Sequence, residues 1–477
     1  MIERRIRYKI EMVNPADLES INSATLDVLS SKGAFFDNQE ACDLLLSAGA
    51  ALSDDGRLKI PEELVQDAID KAPSSIDIYS RDGKQAMFLK EDYVYCGTGS
   101  DCLFVIDFKT GKRRPALKTD IETFTLLSDA LPNIDFVLSM GVATEVPKDT
   151  ADLHQFQAMV TNTTKPIVFT IIEPKNLPLL ISFAERIVGN SYTLQNRPFL
   201  IHYAMPSPPL KHSDIALQNL ICCARHSVPV VYASGTQMGA SGPMTIAGGV
   251  VSANVDILAG LVVHQLANPG APFIYGVGVS PLDMKTTVDS YGAPESDSAD
   301  IVHAQLGKTY NLPTWGYAAA TDSKVLDLQA AMEYMGSTFT GLLSHCHMLH
   351  DVGYLESGLT ASCESIVFGN EVVEFARRIL QPIEVNENTI PLDLLKKIGP
   401  NQTFLTESHT LKHLRDFFYS PLIDRNRHGK WLQKGGLTML DRLKTRVEEI
   451  LADHQSTPLD ATITEEMTQV IATREKT

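Results

Sequence analysis

The stretch VPVVYASGT, residues 228–236, carries the pattern on which the fold turns. Its opening run is apolar at successive positions, too short for a helix, and is closed by Ser-Gly-Thr, small residues that let the backbone turn. A strand with no wet face belongs in a parallel sheet covered by helices. The pattern recurs as IDFVLSMGVAT (134–144), KPIVFTIIE (165–173), PFLIHYAMP (198–206), APFIYGVGV (271–279), LPTWGYAAAT (312–321) and FTGLLSHCHM (339–348), with helical text between the runs. Repetition of strand, polar loop and helix gives an α/β fold, wound by the right-handed crossover rule into a barrel or an open sheet. Seven strands are distinct and an eighth is not. Polar and glycine residues follow the strands, and in both architectures that C-terminal edge is where ligands bind.

Working outward, residues 1–118 read as an N-terminal addition. PADLESINSATLDVLSSKG follows Asn14 with a proline at the first helical position and stops at Gly33. KIPEELVQDAIDKAP is a second helix, and EDYVYCGTGSDCLFVIDFKTGKRRPAL (91–117) reads as β-hairpin material turning at 109–111. Residues 119–381 form the core. Residues 382–477 turn polar and helical and read as a C-terminal helical cap.

A chain of 477 residues with 44% hydrophobic and 21% charged residues is an ordinary globular protein, and a formal charge of -17 argues against nucleic acid as a partner. Seven cysteines at irregular spacings, Cys222 and Cys223 adjacent, suit a reducing cytoplasm better than a disulfide framework. The basic N-terminus has no apolar core of a secretory signal. The longest apolar run, 246–267, is interrupted by Asn254, Asp256, His264 and Gln265, which suits a buried helix over a membrane span.

Several chemistries can be weighed from residue types. Gly307-Lys308-Thr309 lacks the upstream glycine of a phosphate-binding loop, and no GxSxG nucleophile elbow is present. In SHCHMLHD (344–351), His345 and His347 could present two nitrogens to zinc, as a hydrolase would, or simply line a polar strand end. Aromatics follow the strands: Tyr95, Tyr203, Tyr232, Tyr275, Trp315, Tyr317 and Tyr354. Where such rings converge they suit a quaternary ammonium ion.

The stretches SGPMTIAGG, LVVHQLANPGAPFIYG, LDMKTTVDSYGAPES, ATDSKVLDLQAAMEYM, HDVGYLESGLTASCES and GPNQTFLTESHTLKHLRDFFYSPLIDR together resemble the trimethylamine methyltransferase (MttB) superfamily, in its non-pyrrolysine branch with the glycine betaine:corrinoid methyltransferases. The resemblance implies a TIM-type (β/α)8 barrel that passes a methyl group from a methylated amine to the Co(I) of a corrinoid, held by a cognate corrinoid protein, with no tightly bound cofactor or metal. It implies a quaternary amine as substrate, glycine betaine first, with proline betaine, carnitine and γ-butyrobetaine as rivals. Tyr95, Trp315 and Tyr354 are then candidates for the cation site. His347 and His350, with Lys324 behind them, are candidates for the substrate carboxylate, and Lys324 for the position that pyrrolysine occupies in relatives. The glycine-rich rim, Gly239, Ser241, Gly242, Gly276 and Gly278, would face the flat corrin ring. A homo-oligomer is compatible with this reading. A non-catalytic betaine-binding protein is the alternative of another class.

Overall fold

The computed structural model of the chain describes residues 3–276 and 278–476. Seven strands make one sheet in which every neighbouring pair is parallel: β1 (Tyr95–Thr98), β2 (Ile167–Phe169), β3 (Leu200–Ala204), β4 (Val230–Ala233), β5 (Phe273–Gly276), β6 (Thr314–Tyr317) and β7 (Met348–Val352). They follow chain order from β2 to β7, and β1 pairs with β7. Between the edges β1 and β2, single parallel bridges run from Gly97 to Phe136 and from Val137 to Ile167. The architecture is an α/β barrel with helices outside.

Along each strand, alternate residues enter two different cores. On β4, Val230 and Tyr232 pack outward against the helices while Val231 and Ala233 pack inward. Both faces are dry, which is why these segments read as unbroken apolar runs.

Three expectations are corrected. IDFVLSMGVAT contributes only the bridging residues 136–137, not a regular strand. Tyr95–Thr98, assigned to the N-terminal addition, is a strand of the barrel sheet; the turn at 109–111 belongs to the next pair, Phe104–Ile106 with Arg113–Pro115. FTGLLSHCHM is largely helix: Leu328–Ser344 buries Ala330, Tyr334, Ser337, Thr338, Gly341 and Leu342 at helical spacing, and the strand begins only at Met348.

The barrel's N-terminal end is plugged by an antiparallel hairpin, Ile76–Tyr79 with Gln85–Leu89. Ile76, Ile78, Met87 and Leu89 join Tyr95, Phe136, Trp315 and Met348 in the inner core. With that end closed, the strands' C-terminal ends are left for a ligand. Outside, Ile246–Ala267 is the one helix among the described residues long and apolar enough to cross a membrane. It is mostly buried, packed on the helices Pro15–Asp27, Gln39–Ser47 and Glu62–Lys71. The C-terminal helices lie along the barrel wall: Met439–Asp453 against Lys118–Ala130 and Cys363–Ile379, and Ala461–Arg474 against Ala151–Asn162 and Leu177–Val188. All seven cysteines are free.

Candidate functional site

At the C-terminal mouth of the barrel a cavity of about 60 Å³ is bounded by side chains from β3, β6 and β7 and by the loops after β4 and β5. Three tyrosines, Tyr203, Tyr291 and Tyr317, line it with His350, Asp289 and Asp351. Beneath them Trp315 is fully buried, its ring centroid 5.4 Å from Tyr203 and 4.4 Å from His350. The indole Nε1 has no hydrogen-bond partner among the described residues. None of the described residues lining the cavity is lysine or arginine.

Strand alternation would send one of two adjacent residues outward, yet His350 and Asp351 both line the cavity. A register shift in β7 between Leu349 and Val352 and a positive φ of 71° at Asp351 turn both inward. A carboxylate-bearing residue held in the left-handed region inside a strand is strained, and such strain gathers at functional sites.

His350 Nδ1 lies 2.7 Å from the Gly316 carbonyl and so carries the proton, which leaves Nε2 as an acceptor. Nε2 lies 3.2 Å from Asp351 Oδ1. Burial lowers His350 to about 4, so the ring is neutral near pH 7, and burial pushes Asp351 well above the usual carboxylate range. Asp351 Oδ1 makes no hydrogen bond among the described residues. Burial also raises Asp289, against hydrogen bonds from Ser280 and Gln237. Asp297 is raised to about 6, again by burial, and accepts from Tyr317 Oη at 2.8 Å. The mouth therefore gathers carboxyl groups, buried at Asp351 and half-buried at Asp289 and Asp297, with aromatic faces, a setting for a cation.

Asp322 clasps the loops around the cavity. It accepts from the Gly292 amide at 3.0 Å, from Ser357 Oγ at 2.8 Å and from Ser290 Oγ, joining the loops after β5, β6 and β7.

Of the residues singled out from sequence, His350 lines the cavity and Trp315 lies under it. Tyr354 is beside the mouth, hydrogen-bonded to Ser100 and packed over Gly99, but does not line the cavity. Tyr95 and His347 lie at the opposite end: the Tyr95 amide donates to the His347 carbonyl where β1 and β7 begin, and Tyr95 Oη accepts from Phe88 of the plugging hairpin. His347 Nδ1 accepts from the Thr314 amide, with Lys308 Nζ 2.9 Å from Nε2, while His345 Nε2 faces the Tyr8 carbonyl. This end opens into a larger groove of about 570 Å³, lined by charges of both signs including Arg7, Lys9, Glu91 and Lys308. No group of three or more histidines, cysteines or carboxylates suited to a metal occurs among the described residues. Lys324 is exposed and donates to the Asp322 carbonyl. Tyr232 and Tyr275 face outward, bonded to His212 and Asn254.

The glycine rim has local causes. A Cβ on Gly242, Gly276 or Gly278 would come within 3.0 Å of this chain's own Thr236, Ala233 or Ser234. Ser241 Oγ accepts from the Gln237 amide. Only Gly239, with φ 91°, is exposed, between the partly exposed Met244 and Met284. Asp289, Tyr291 and Asp351 escaped notice as site residues, although the first two lie within LDMKTTVDSYGAPES and the third in the His-rich SHCHMLHD.

Comparison with known proteins bears on this geometry. A monomethylamine methyltransferase (MtmB) structure from Methanosarcina barkeri superposes with a TM-score of 0.53 over 93% of this chain and 89% of its own, at 12% identity, a likeness of fold alone. The trimethylamine methyltransferase MttB of Desulfitobacterium hafniense is 28% identical over 95% of this chain and 92% of its own. That of Methanosarcina barkeri is 29% identical over 98% and 96%. A glycine betaine methyltransferase of Desulfitobacterium hafniense is 26% identical over 98% of both chains. The family model for trimethylamine methyltransferase (MTTB) matches residues 1–477, and the chain belongs to this family.

Proposed function

We propose that this chain moves a methyl group from a small quaternary ammonium ion lacking a carboxylate to the Co(I) of a corrinoid carried by a partner protein, on a TIM-type (β/α)8 barrel with its terminal segments added outside. The observation that carries the substrate is the cavity lining: three tyrosines, the buried Asp351, the half-buried Asp289 and no lysine or arginine among the described residues. No cationic side chain among the described lining residues is placed to neutralise a betaine carboxylate. Of the residues expected to receive it, His347 is at the far end, Lys324 is exposed, and His350 is neutral with Nδ1 on the Gly316 carbonyl. The small cavity also favours a compact head group.

The residues act by binding and timing. Tyrosine faces hold the methyl groups, with the rings' negative faces toward the cation. A cation at the tyrosine faces favours the ionised form of Asp351, so a proton passes to bulk water as the positive charge arrives. The corrinoid supplies the nucleophile that takes the methyl. As the C–N bond breaks, its electron pair stays on nitrogen and the amine leaves neutral, so no proton need be delivered to it. With the positive charge gone, Asp351 takes a proton back from bulk water and the neutral amine leaves. The exposed methionine rim of Met205, Met244 and Met284 gives a soft apolar landing for the flat ring.

The test is to incubate the protein with chemically reduced cob(I)alamin, or the cognate corrinoid protein, and tetramethylammonium, trimethylamine or glycine betaine in parallel. Methylated cobalamin forms with tetramethylammonium and not with betaine. Preference for betaine overturns the substrate; no methylation from any donor overturns the reaction. Asp351→Asn is expected to lower kcat/KM about 100-fold, ~3 kcal/mol of transition-state binding, with the fold intact by circular dichroism.

A further inference from the structure

We propose that Lys308, at the plugged end of the barrel, is held as a neutral amine by a ring N–H of His347 and takes up carbon dioxide as a carbamate. The ring proton of His347 is placed by its neighbours. The Thr314 amide donates to Nδ1 at 2.9 Å, so the proton of the neutral ring sits on Nε2. Burial holds this imidazole well below its ordinary value, which keeps the ring neutral near pH 7. Nε2–H then faces Lys308 Nζ at 2.9 Å, a contact that bonds only when the nitrogen offers a lone pair. An ammonium group would set proton against proton. Of the two hydrogens the amine keeps, one is donated to the Glu91 carbonyl at 3.2 Å, and the other is left for the groove of about 570 Å³ that Lys308 lines.

The charges around Nζ agree with this state. Glu11 pairs with Lys9, Glu91 and Asp92 reach Arg5, and Asp92 also lies 3.4 Å from His345 Nδ1. Lys308 itself makes no ion pair among the described residues, and burial, against the pull of Asp92, lowers its amine to about 8. Arg7 lines the same groove, exposed and in no ion pair among the described residues.

Chemistry selects the electrophile. A thioester or acyl phosphate must expel a leaving group and an aldehyde must lose water, steps that call for an acid; the neutral His347 is none. Carbon dioxide expels nothing. The Nζ lone pair leaves Nε2–H and forms the N–C bond, one C=O π pair moves onto oxygen, and a proton from nitrogen passes to water. The products are a carbamate anion and a hydronium ion. Nε2–H then donates to a carbamate oxygen, and Arg7 offers the groove's unpaired cation to the new charge.

The full chain is equilibrated with isotope-labelled bicarbonate at about pH 8, where half of the Lys308 amine is free. Carbamates are fixed by alkylation with an oxonium salt and mapped by peptide mass spectrometry. The Lys308 peptide is expected to carry the label at least tenfold above any other lysine peptide, because an ordinary lysine is a free amine about a hundredfold less often at that pH. No label on Lys308, or label spread evenly over the lysines, overturns the inference. In Lys308→Arg the carbamate resonance of the labelled protein is expected to vanish from its nuclear magnetic resonance spectrum; persistence overturns the inference. Should that variant fail to fold, trace acetylation of the unaltered protein across pH decides. Lys308 is expected to reach half its full reactivity near pH 8, and a midpoint at the ordinary lysine value, about 10, overturns the inference.

Discussion

Asp351 and Asp256 show how one residue type serves two ends in this chain. Asp351 is forced into the cavity by a bulge, beside a neutral histidine. Asp256 sits in the apolar helix Ile246–Ala267, where the Leu210 amide donates to it at 3.0 Å and Ser234 Oγ at 3.3 Å. Burial raises Asp256 to about 7. Its folded value lies above the unfolded one, so the folded state holds the proton more tightly between about pH 4 and pH 7. The stabilisation is complete below pH 4 and is lost as pH rises through 7. The expected outcome is a melting temperature that falls between pH 5 and 8, and an Asp256→Asn variant whose fall is shallower, the difference being on the order of 1–4 kcal/mol. Parallel pH profiles for the two proteins would contradict it.

At the scale of elements, the plugging hairpin closes one end of the barrel and leaves the tyrosine-lined cavity at the other. Ile78 is fully buried in the inner core with Met87 and Leu89. Ile78→Ala should cost about 2–5 kcal/mol in urea unfolding, because removed methyl groups leave a cavity that a barrel wall cannot collapse to fill. A loss below about 1 kcal/mol would show the plug to be loosely seated. The elements were unequally legible. Runs such as VPVVYASGT gave themselves away because both faces are dry. FTGLLSHCHM did not, since a short apolar run fits a buried strand and a buried helix alike, and length decides only when the boundary is known. The strand Tyr95–Thr98 was hidden by its neighbours, whose alternation and turn belong to a different sheet.

For the whole molecule, the mouth combines a tyrosine-lined cavity with an exposed methionine rim, a division that suits the proposed small donor inside and large acceptor outside. Met244→Glu with Met284→Glu, both more than half exposed, should raise KM for the corrinoid protein about tenfold or more, the usual cost of a desolvated charge at an interface. Binding of the ammonium ion, followed by calorimetry, should stay unchanged. Equal loss of both would place these methionines in the donor pocket.

By itself the sequence determined the α/β class, most barrel strands, the edge that carries the site and the family resemblance, because these depend on local periodicity, strand-end chemistry and matched text. It also held His350 and Trp315 among its candidates. Only the tertiary structure decided which end of the barrel a residue occupies: Tyr95 and His347 lie where β1 and β7 begin, away from the mouth. It alone brought Tyr203, Tyr291, Tyr317, Asp289 and Asp351 together, since they come from separate strands and a long loop, and a single bulge turned Asp351 against the alternation that a sequence pattern assumes. Convergence in space is set by closure of the barrel, a property of all its strands at once and of no stretch alone.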